Sequence, residues 1–361
     1  MDEQAAIKKA QADVRAFAGD SIERAVVCSG GGLGDLLKAA AFCAALKNNE
    51  LARFGYTASD SRPPKSVALV FNETGCDADG TSLSLAALRD NPAVDKLIEH
   101  NGIQQARMVR AIYDIPLRFF EVQTATVRSW YWGAAGAQLL ADQCAAPYRN
   151  FSDHLPLSNR SLMEASESQW QMLSKSSGIP VSPSDMFIAP GDLPGCFDND
   201  RYVVVNNGCG GDMTMKCIPQ DVIGDLCGVL VDEGINVVQV GLKVEPVVPN
   251  ALDMRGLSLR DSAELIRHAK MYIGPEGGMA YVALAVDTPG IVFYGPTPVN
   301  VFHAEGQSWI SRQKCRPCWW QKPDWGTVCP KGCAVCKNMP EGGKALGRQL
   351  ARQIIHESEV E

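Results

Sequence analysis

Two glycine-rich segments, each closing an apolar run, constrain this chain more than any other feature. Near the start stands Val26-Val27-Cys28-Ser29-Gly30-Gly31-Gly32-Leu33-Gly34-Asp35-Leu36-Leu37. In the far half stands Met271-Tyr272-Ile273-Gly274-Pro275-Glu276-Gly277-Gly278-Met279-Ala280-Tyr281. Each reads as a strand, a tight turn with one carboxylate, and then a helix. One such unit per half predicts two α/β domains with a ligand held between them. The start of each helix suits an anion, because its first N–H groups lack partners and the helix dipole points there.

The second half gives the clearer pattern. Tyr202–Asn206 reads as a strand and Pro219 to about Glu233 as a helix with proline in its first turn, capped by Gly234. Asn236–Val240 is the next strand. Ser258 is a good N-cap for a helix to about Ala269. A strand Met271–Ile273, a helix Met279–Val286 and a strand Gly290–Tyr294 follow. This alternation predicts a parallel sheet with right-handed crossovers. The turns at 206–216, 241–245, 274–278 and 294–297 then share the carboxyl edge, where such sheets bind ligands.

In the first half, Ala25–Ser29 and Ser66–Phe71 read as strands and Asp35–Lys47 as a helix. Further helices are expected at about Ser82–Arg89, Val94–Glu99 and Gln104–Ile112. The aromatic and alanine-rich stretch 119–150 is expected to be helical and partly buried. Pro190, Gly191, Pro194 and Gly195 mark 185–200 as a linker. The implied divisions are an N-terminal helical arm (1–22), an N-terminal α/β domain (23–190), a C-terminal α/β domain (191–312), a cysteine-rich insert (313–340) and a C-terminal helix (341–361), which includes Gly343–Glu357.

The 361 residues allow two domains with substantial cores. A net charge of -7 argues against a broad nucleic-acid surface, which needs a basic footprint, and leaves room for a small basic pocket. No apolar run reaches the roughly 18 residues of a membrane span. The acidic start Met1-Asp2-Glu3-Gln4 lacks a signal peptide's basic region. A cytoplasmic protein is expected, with at most peripheral contact at the inner membrane.

Several side chains are placed for chemistry. Asp35 follows the glycine turn at the first helical turn and suits a general base that takes a proton from an acceptor hydroxyl. Gly30 to Gly34 lack the full register of a dinucleotide fingerprint. Lys216, after Asn206-Asn207-Gly208-Cys209-Gly210-Gly211-Asp212, suits a phosphate as a point charge. Glu276 suits sugar or ribose hydroxyls, the amides of Gly277 and Gly278 suit a diphosphate, and Thr297 suits a phosphate or a helix cap. Taken singly, each is equally a helix-start carboxylate, a surface lysine or a plain turn.

The 13 cysteines are an odd number in a long chain, which does not suggest a disulfide framework. Eight are scattered, most of them expected to be small buried apolar residues. Five crowd together: Cys315-Arg316-Pro317-Cys318, then Cys329, Cys333 and Cys336. A C-x2-C pair followed by a second thiol group suits a tetrahedral sulfur site, with five candidates for four places. Reduced buried thiols or a redox pair are the alternatives. Trp319, Trp320 and Trp325 lie in the insert and suit packing over the site, an oligomer contact or an acceptor surface.

Together these segments resemble glycosyltransferase family 9, the bacterial heptosyltransferase family. The resemblance rests on Gly32-Leu33-Gly34-Asp35-Leu36-Leu37, Val203–Lys216, Gly234–Gly241, Met254-Arg255-Gly256-Leu257-Ser258-Leu259 and above all Ile273–Thr297. It implies an α/β GT-B fold of two facing Rossmann-like domains, and an inverting transfer without a metal in the chemistry. It places Asp35, beside Gly34, on the family's base and Lys216 on its phosphate-binding lysine. Gly277 and Gly278 fall on the phosphate-binding turn. Glu276 stands where the family usually has Asp, and Tyr281 where many members have His. ADP-heptose is the implied donor, and the acceptor is a glycan, lipopolysaccharide core or protein hydroxyl.

Autotransporter heptosyltransferases have a comparable iron-binding cysteine finger, so the resemblance sets iron beside zinc. It favours Cys315, Cys318, Cys329 and Cys336 as ligands and Cys333 as the alternate. Two other readings stand beside this one: another sugar-nucleotide enzyme such as an epimerase, and a non-catalytic metal-finger protein that binds a partner. Homo-oligomerisation is compatible with all of them.

Overall fold

The computed structural model describes residues 24–28, 32–48, 66–71, 82–99, 119–123, 126–130, 167–177, 179–194, 202–209, 213–311, 315, 317–319, 322, 324–337 and 342–359, with scattered helical residues between 5 and 16. The expected helix Gln104–Ile112 and the 131–150 part of the aromatic stretch lie outside these. The chain divides into two units. One comprises Met1–Cys76, Thr81–Ser158 and Glu167–Ala189, the other Asp77–Gly80, Asn159–Ser166 and Pro190–Glu361.

The first unit is built on a five-stranded sheet. Its elements are β1 (Arg24–Cys28), α1 (Leu33–Asn48), β2 (Val67–Phe71), α2 (Leu83–Leu88), β3 (Lys96–Glu99), β4 (Phe119–Gln123), β5 (Thr126–Trp130) and α3 (Gln169–Ser177). The strand order is β3-β2-β1-β4-β5, parallel except for the β4–β5 pair. All five residues of β2 are buried, as a parallel strand covered on both faces requires. Helix α1 buries eleven of its sixteen residues, which is why its sequence is apolar on nearly every side.

Two expectations for this unit fail. Lys96–Glu99 is an edge strand, not part of a helix. The turn at Asn91–Val94 and the bond from the Asp95 amide to the Val67 carbonyl hold it against β2. The start of the aromatic stretch is a hairpin, not a helix, with Phe119 opposite Trp130. Its β-branched and aromatic residues favour a pleated surface.

The second unit holds β6 (Tyr202–Val205), α4 (Gln220–Asp232), β7 (Asn236–Gln239), β8 (Leu252–Asp253), α5 (Leu259–Arg267), β9 (Met271–Pro275), α6 (Gly278–Ala285), β10 (Gly290–Tyr294), α7 (Val299–Phe302), β11 (Gln307–Ser311) and α8 (Gly342–Glu359). Its six strands are all parallel, in the order β11-β10-β9-β6-β7-β8. Counted within the unit, this is the 3-2-1-4-5-6 order of a doubly wound dinucleotide fold. The direction of winding reverses between β6 and β9, which opens a crevice at their carboxyl ends.

The local signals work as expected here. The Ser258 hydroxyl accepts from the Asp261 amide and caps α5. Gly234, with φ of 79°, ends α4. Pro219 is the residue just before α4 rather than in its first turn. The Tyr202 hydroxyl and Thr288 Oγ1 donate to the Leu265 and Ile266 carbonyls at the end of α5. The last helix completes the core: Leu350, Ala351 and Ile354 of α8 are buried with Ile223, Leu226 and Leu230 of α4 and with the inner face of the sheet.

Candidate donor site and the family it resembles

The β6–β9 crevice of the second unit carries most of the residues singled out by the sequence. After β9, the Glu276 amide donates to the Phe293 carbonyl, which pins its backbone to β10. Its side chain turns inward and is 8% exposed. After β6, Asn207 holds the far end of the polar loop. Its Nδ2 donates to the Ile218 carbonyl at 2.9 Å, and its Oδ1 accepts from the Ile218 amide at 2.8 Å. This brings Lys216 Nζ to 2.5 Å from Glu276 Oε2, with the lysine 14% exposed. A buried ammonium–carboxylate pair thus stands where the topology predicts a ligand. Helix α6 begins two residues later, at Gly278. No side chain caps this start, and the first amides of a helix have no partner within it.

Tyr281 is buried on α6, and Thr297 is buried in the turn after β10. That turn is bound to the cysteine-rich insert: the amides of Cys318 and Trp319 both donate to the Pro296 carbonyl.

Three groups in this unit escape sequence reasoning. Glu245 lies in the loop after β7 but folds back onto the β6 edge, where its Oε2 accepts from Asn206 Nδ2 at 3.2 Å. A Cβ at Gly208 or Gly241 would lie 1.8 Å or 2.1 Å from this carboxyl group, so a side chain at either position would push the carboxylate out of this place, and Gly241 also holds a φ of 133° that favours glycine. Burial raises the Glu245 pKa above the ordinary carboxylate range, against the opposing bonds from the Leu242 amide and Asn206. Cys209 and Cys217, expected as buried apolar residues, are half-buried in the loop that bears Lys216. Their mutual hydrogen bond, then burial, raises Cys209 well above the usual thiol value. Trp325 of the insert lies beneath Lys216, 5.9 Å from Nζ to the ring centroid.

In the first unit, Asp35 sits in the first turn of α1, after β1 and beside the buried Gly34. Strand order reverses between β1 and β4, so this is the equivalent switch position of its own sheet. Asp35 Oδ1 is 2.9 Å from Lys38 Nζ. Lys38 is 2% exposed and also donates to Gln169 Oε1 at 3.0 Å. The carboxylate is therefore held by a buried ammonium one helical turn away. The signal for Lys38 is its place as a cation one turn after Asp35, in the middle of a largely apolar helix.

The five clustered thiols are all free. Cys318 and Cys336 are buried, Cys315 and Cys329 half-buried, and Cys333 exposed. The thiol of Cys315 hydrogen-bonds to that of Cys333. Burial, reinforced by the neighbouring Cys329 and Cys336 thiols, pushes Cys318 up to about 11. Among the described residues, no group of three or more Cys, His, Asp or Glu side chains stands ready to hold a metal ion.

Comparison with known proteins gives one family model. The profile of glycosyltransferase family 9 (heptosyltransferase) matches residues 254–326, which run from the approach to α5 into the insert. The resemblance to family 9 stands. The match supports a glycosyltransferase. No curated protein matches the sequence.

Among solved structures, a family 9 glycosyltransferase from Veillonella parvula DSM 2008 superposes with a TM-score of 0.57 at 13% identity. The match covers 93% of this chain and 98% of that one. The iron-containing dodecameric glycosyltransferase TibC from enterotoxigenic E. coli H10407 superposes with a TM-score of 0.55 at 14% identity, over 94% of this chain and 77% of that one. TibC in complex with ADP-D-beta-D-heptose gives 0.52 at 15% identity, over 93% and 76%. At these identities the likeness fixes the fold, the α/β GT-B class. Among the described residues, no helix is long and apolar enough to cross a membrane.

Proposed function

We propose that this protein is an inverting glycosyltransferase that moves a heptose from ADP-heptose to a hydroxyl group of a glycan, lipopolysaccharide core or protein. The observation that carries this reading is the Lys216–Glu276 pair at the β6–β9 switch point, directly before the start of α6. A cation and a set of helix-start amides suit a diphosphate, and a carboxylate beside them suits sugar hydroxyls. Glu245, past the end of the unit's second strand, occupies the place where doubly wound folds hold the ribose hydroxyls of a nucleotide. TibC in complex with ADP-D-beta-D-heptose shares the fold, which favours that donor among the nucleotide sugars.

In the proposed reaction, Asp35 accepts the proton of the acceptor hydroxyl. The resulting oxygen attacks the anomeric carbon from the face opposite the nucleotide. The bond from that carbon to the diphosphate oxygen breaks, and ADP leaves with the electron pair. Lys216 and the amides of Gly277 and Gly278 stabilise the charge that grows on the departing diphosphate. The Lys38 ammonium fixes the carboxylate of Asp35 in one orientation.

The insert's thiols are the donor type that zinc or iron takes, and the Ala334 amide donates to Cys329 Sγ at 3.3 Å, so its sulfur is already presented by a tight turn. Cys315, Cys318, Cys329 and Cys336 would hold a structural zinc or iron that cross-links the insert, with the exposed Cys333 to spare. No step of the transfer runs through that ion.

Incubation with a panel of nucleotide sugars tests the function. ADP released from ADP-heptose supports it. Silence across the panel, with no nucleotide bound, rejects it.

A further inference from the structure

The cysteine-rich insert grips the loop that bears Lys216 at three points. The Met215 amide donates to the Gly326 carbonyl at 2.7 Å. Lys337 Nζ donates to the Thr214 carbonyl and, at 2.8 Å, to the Cys217 carbonyl. A Cβ at residue 326 would lie 2.2 Å from Met213 Sδ, so the insert packs closely on the Met213 side chain here. Between these grips stands Trp325, 2% exposed, with its ring beneath the Lys216 ammonium. Trp325 is itself braced: its ring meets Trp319 edge-on at 6.3 Å, and Trp319 meets Phe302 edge-on at 5.0 Å.

Resting on the donor site proposed above, we propose that Trp325 is a positioning residue for Lys216. Its π face and the insert's three hydrogen bonds to the loop hold the ammonium at the β6–β9 crevice, aimed at the diphosphate of the donor. The physical logic is pre-organisation. Lysine carries a long flexible stem, and a free loop lysine must be ordered when an anion arrives. The Trp325 ring, 5.9 Å away, and Glu276, 2.5 Å away, order it beforehand. The ring quadrupole attracts a cation, and more strongly where water is excluded. The insert is thereby part of the donor site, and its integrity is coupled to donor affinity.

The test compares Trp325→Leu, Trp325→Met and Trp325→Phe in the full chain, with thermal melts reporting the fold of each. The first two remove the π face, and two variants guard against one failing to fold. Trp325→Phe keeps a weaker π face. Two measurements follow. One is the acetylation rate of Lys216 by an N-hydroxysuccinimide ester without ligand, followed by mass spectrometry. The other is ADP affinity by calorimetry, in the native background and in Lys216→Met.

The expected result is that Lys216 is acetylated about fivefold faster without the π face, and that ADP affinity falls by about the same factor. Trp325→Phe recovers most of both. In the Lys216→Met background, Trp325→Leu costs no further ADP affinity. Unchanged acetylation, or an equal affinity loss in both backgrounds, overturns the proposal. If the native protein binds no ADP, the donor reading fails, and the acetylation rates alone then decide whether Trp325 holds Lys216.

Discussion

Replacing Lys216 by methionine separates the two forces that meet at this residue. The change keeps the length of the side chain and removes its charge. Glu276 is then left 8% exposed and without the ammonium that stood 2.5 Å away. Breaking a buried ion pair from one side costs about 3–5 kcal/mol, because the surviving charge stays desolvated. The lysine is 14% exposed, so some water reaches the pair and the low end, about 3 kcal/mol, is expected here. For a unit of this size that is a fall of roughly 9 °C in the melting temperature of the second unit. The double variant Lys216→Met/Glu276→Gln removes both charges and should recover most of the loss. Calorimetric melts of the four proteins complete the cycle. Nucleotide binding reads the second force: a charge-assisted bond to phosphate is worth about 1.5–3 kcal/mol, so ADP affinity should fall by about tenfold or more. A single variant as stable as the native chain, or a double variant no better than the single, would refute the buried-pair argument.

Further outcomes follow from the same geometry. Glu276→Gln removes one brace of Lys216, so ADP should bind somewhat more weakly and ADP-heptose more weakly still, measured by calorimetry with both ligands; equal losses would mean that Glu276 only holds the lysine. Burial raises the pKa of Glu245, so the folded chain binds that proton more tightly than the unfolded one. Its contribution to stability is present below the ordinary glutamate value of about 4.3 and is lost as pH rises through the raised folded value. Glu245→Gln should therefore be more stable than the native chain at pH 7, with the difference vanishing in melts below about pH 4. Metal analysis of the purified protein should find one zinc or iron per chain, and chelation should lower the melting temperature of the second unit. A metal-free preparation of full stability would reject the structural ion.

The second unit was the more legible in sequence because its strands are apolar runs ended by glycine, proline or asparagine. Val203–Val205, Val237–Val238 and Ile291–Tyr294 could be placed from that pattern alone, and Ser258 and Gly234 marked helix ends by their own chemistry. The edge strand β8 has two residues, too few for a period to show, and the edge strand β11, Gln307-Ser308-Trp309-Ile310-Ser311, is too polar to stand out as an apolar run. In the first unit, Lys96–Glu99 holds four residues, of which only Ile98 is buried, so neither helical nor strand periodicity could develop. Phe119 to Trp130 has strand composition but runs into an alanine-rich stretch that pulled the whole region toward helix.

The site shows the same division. Lys216 and Glu276 were found because each follows a glycine-rich strand end. Glu245 lies in a proline-bounded loop, and nothing local shows that its side chain returns over Gly208 and Gly241. The contact of Trp325 with Lys216 joins positions more than a hundred residues apart, and only folding reveals it.

The central claim is that an activated sugar bound at Lys216 and Glu276 loses its nucleotide when Asp35 draws a proton from the acceptor. Comparing ADP release from ADP-heptose by the native chain and by Asp35→Ala, alongside ADP-heptose binding to both, tests it most directly. The account predicts release by the native protein, none by the variant, and similar binding by both; turnover retained in Asp35→Ala would contradict it.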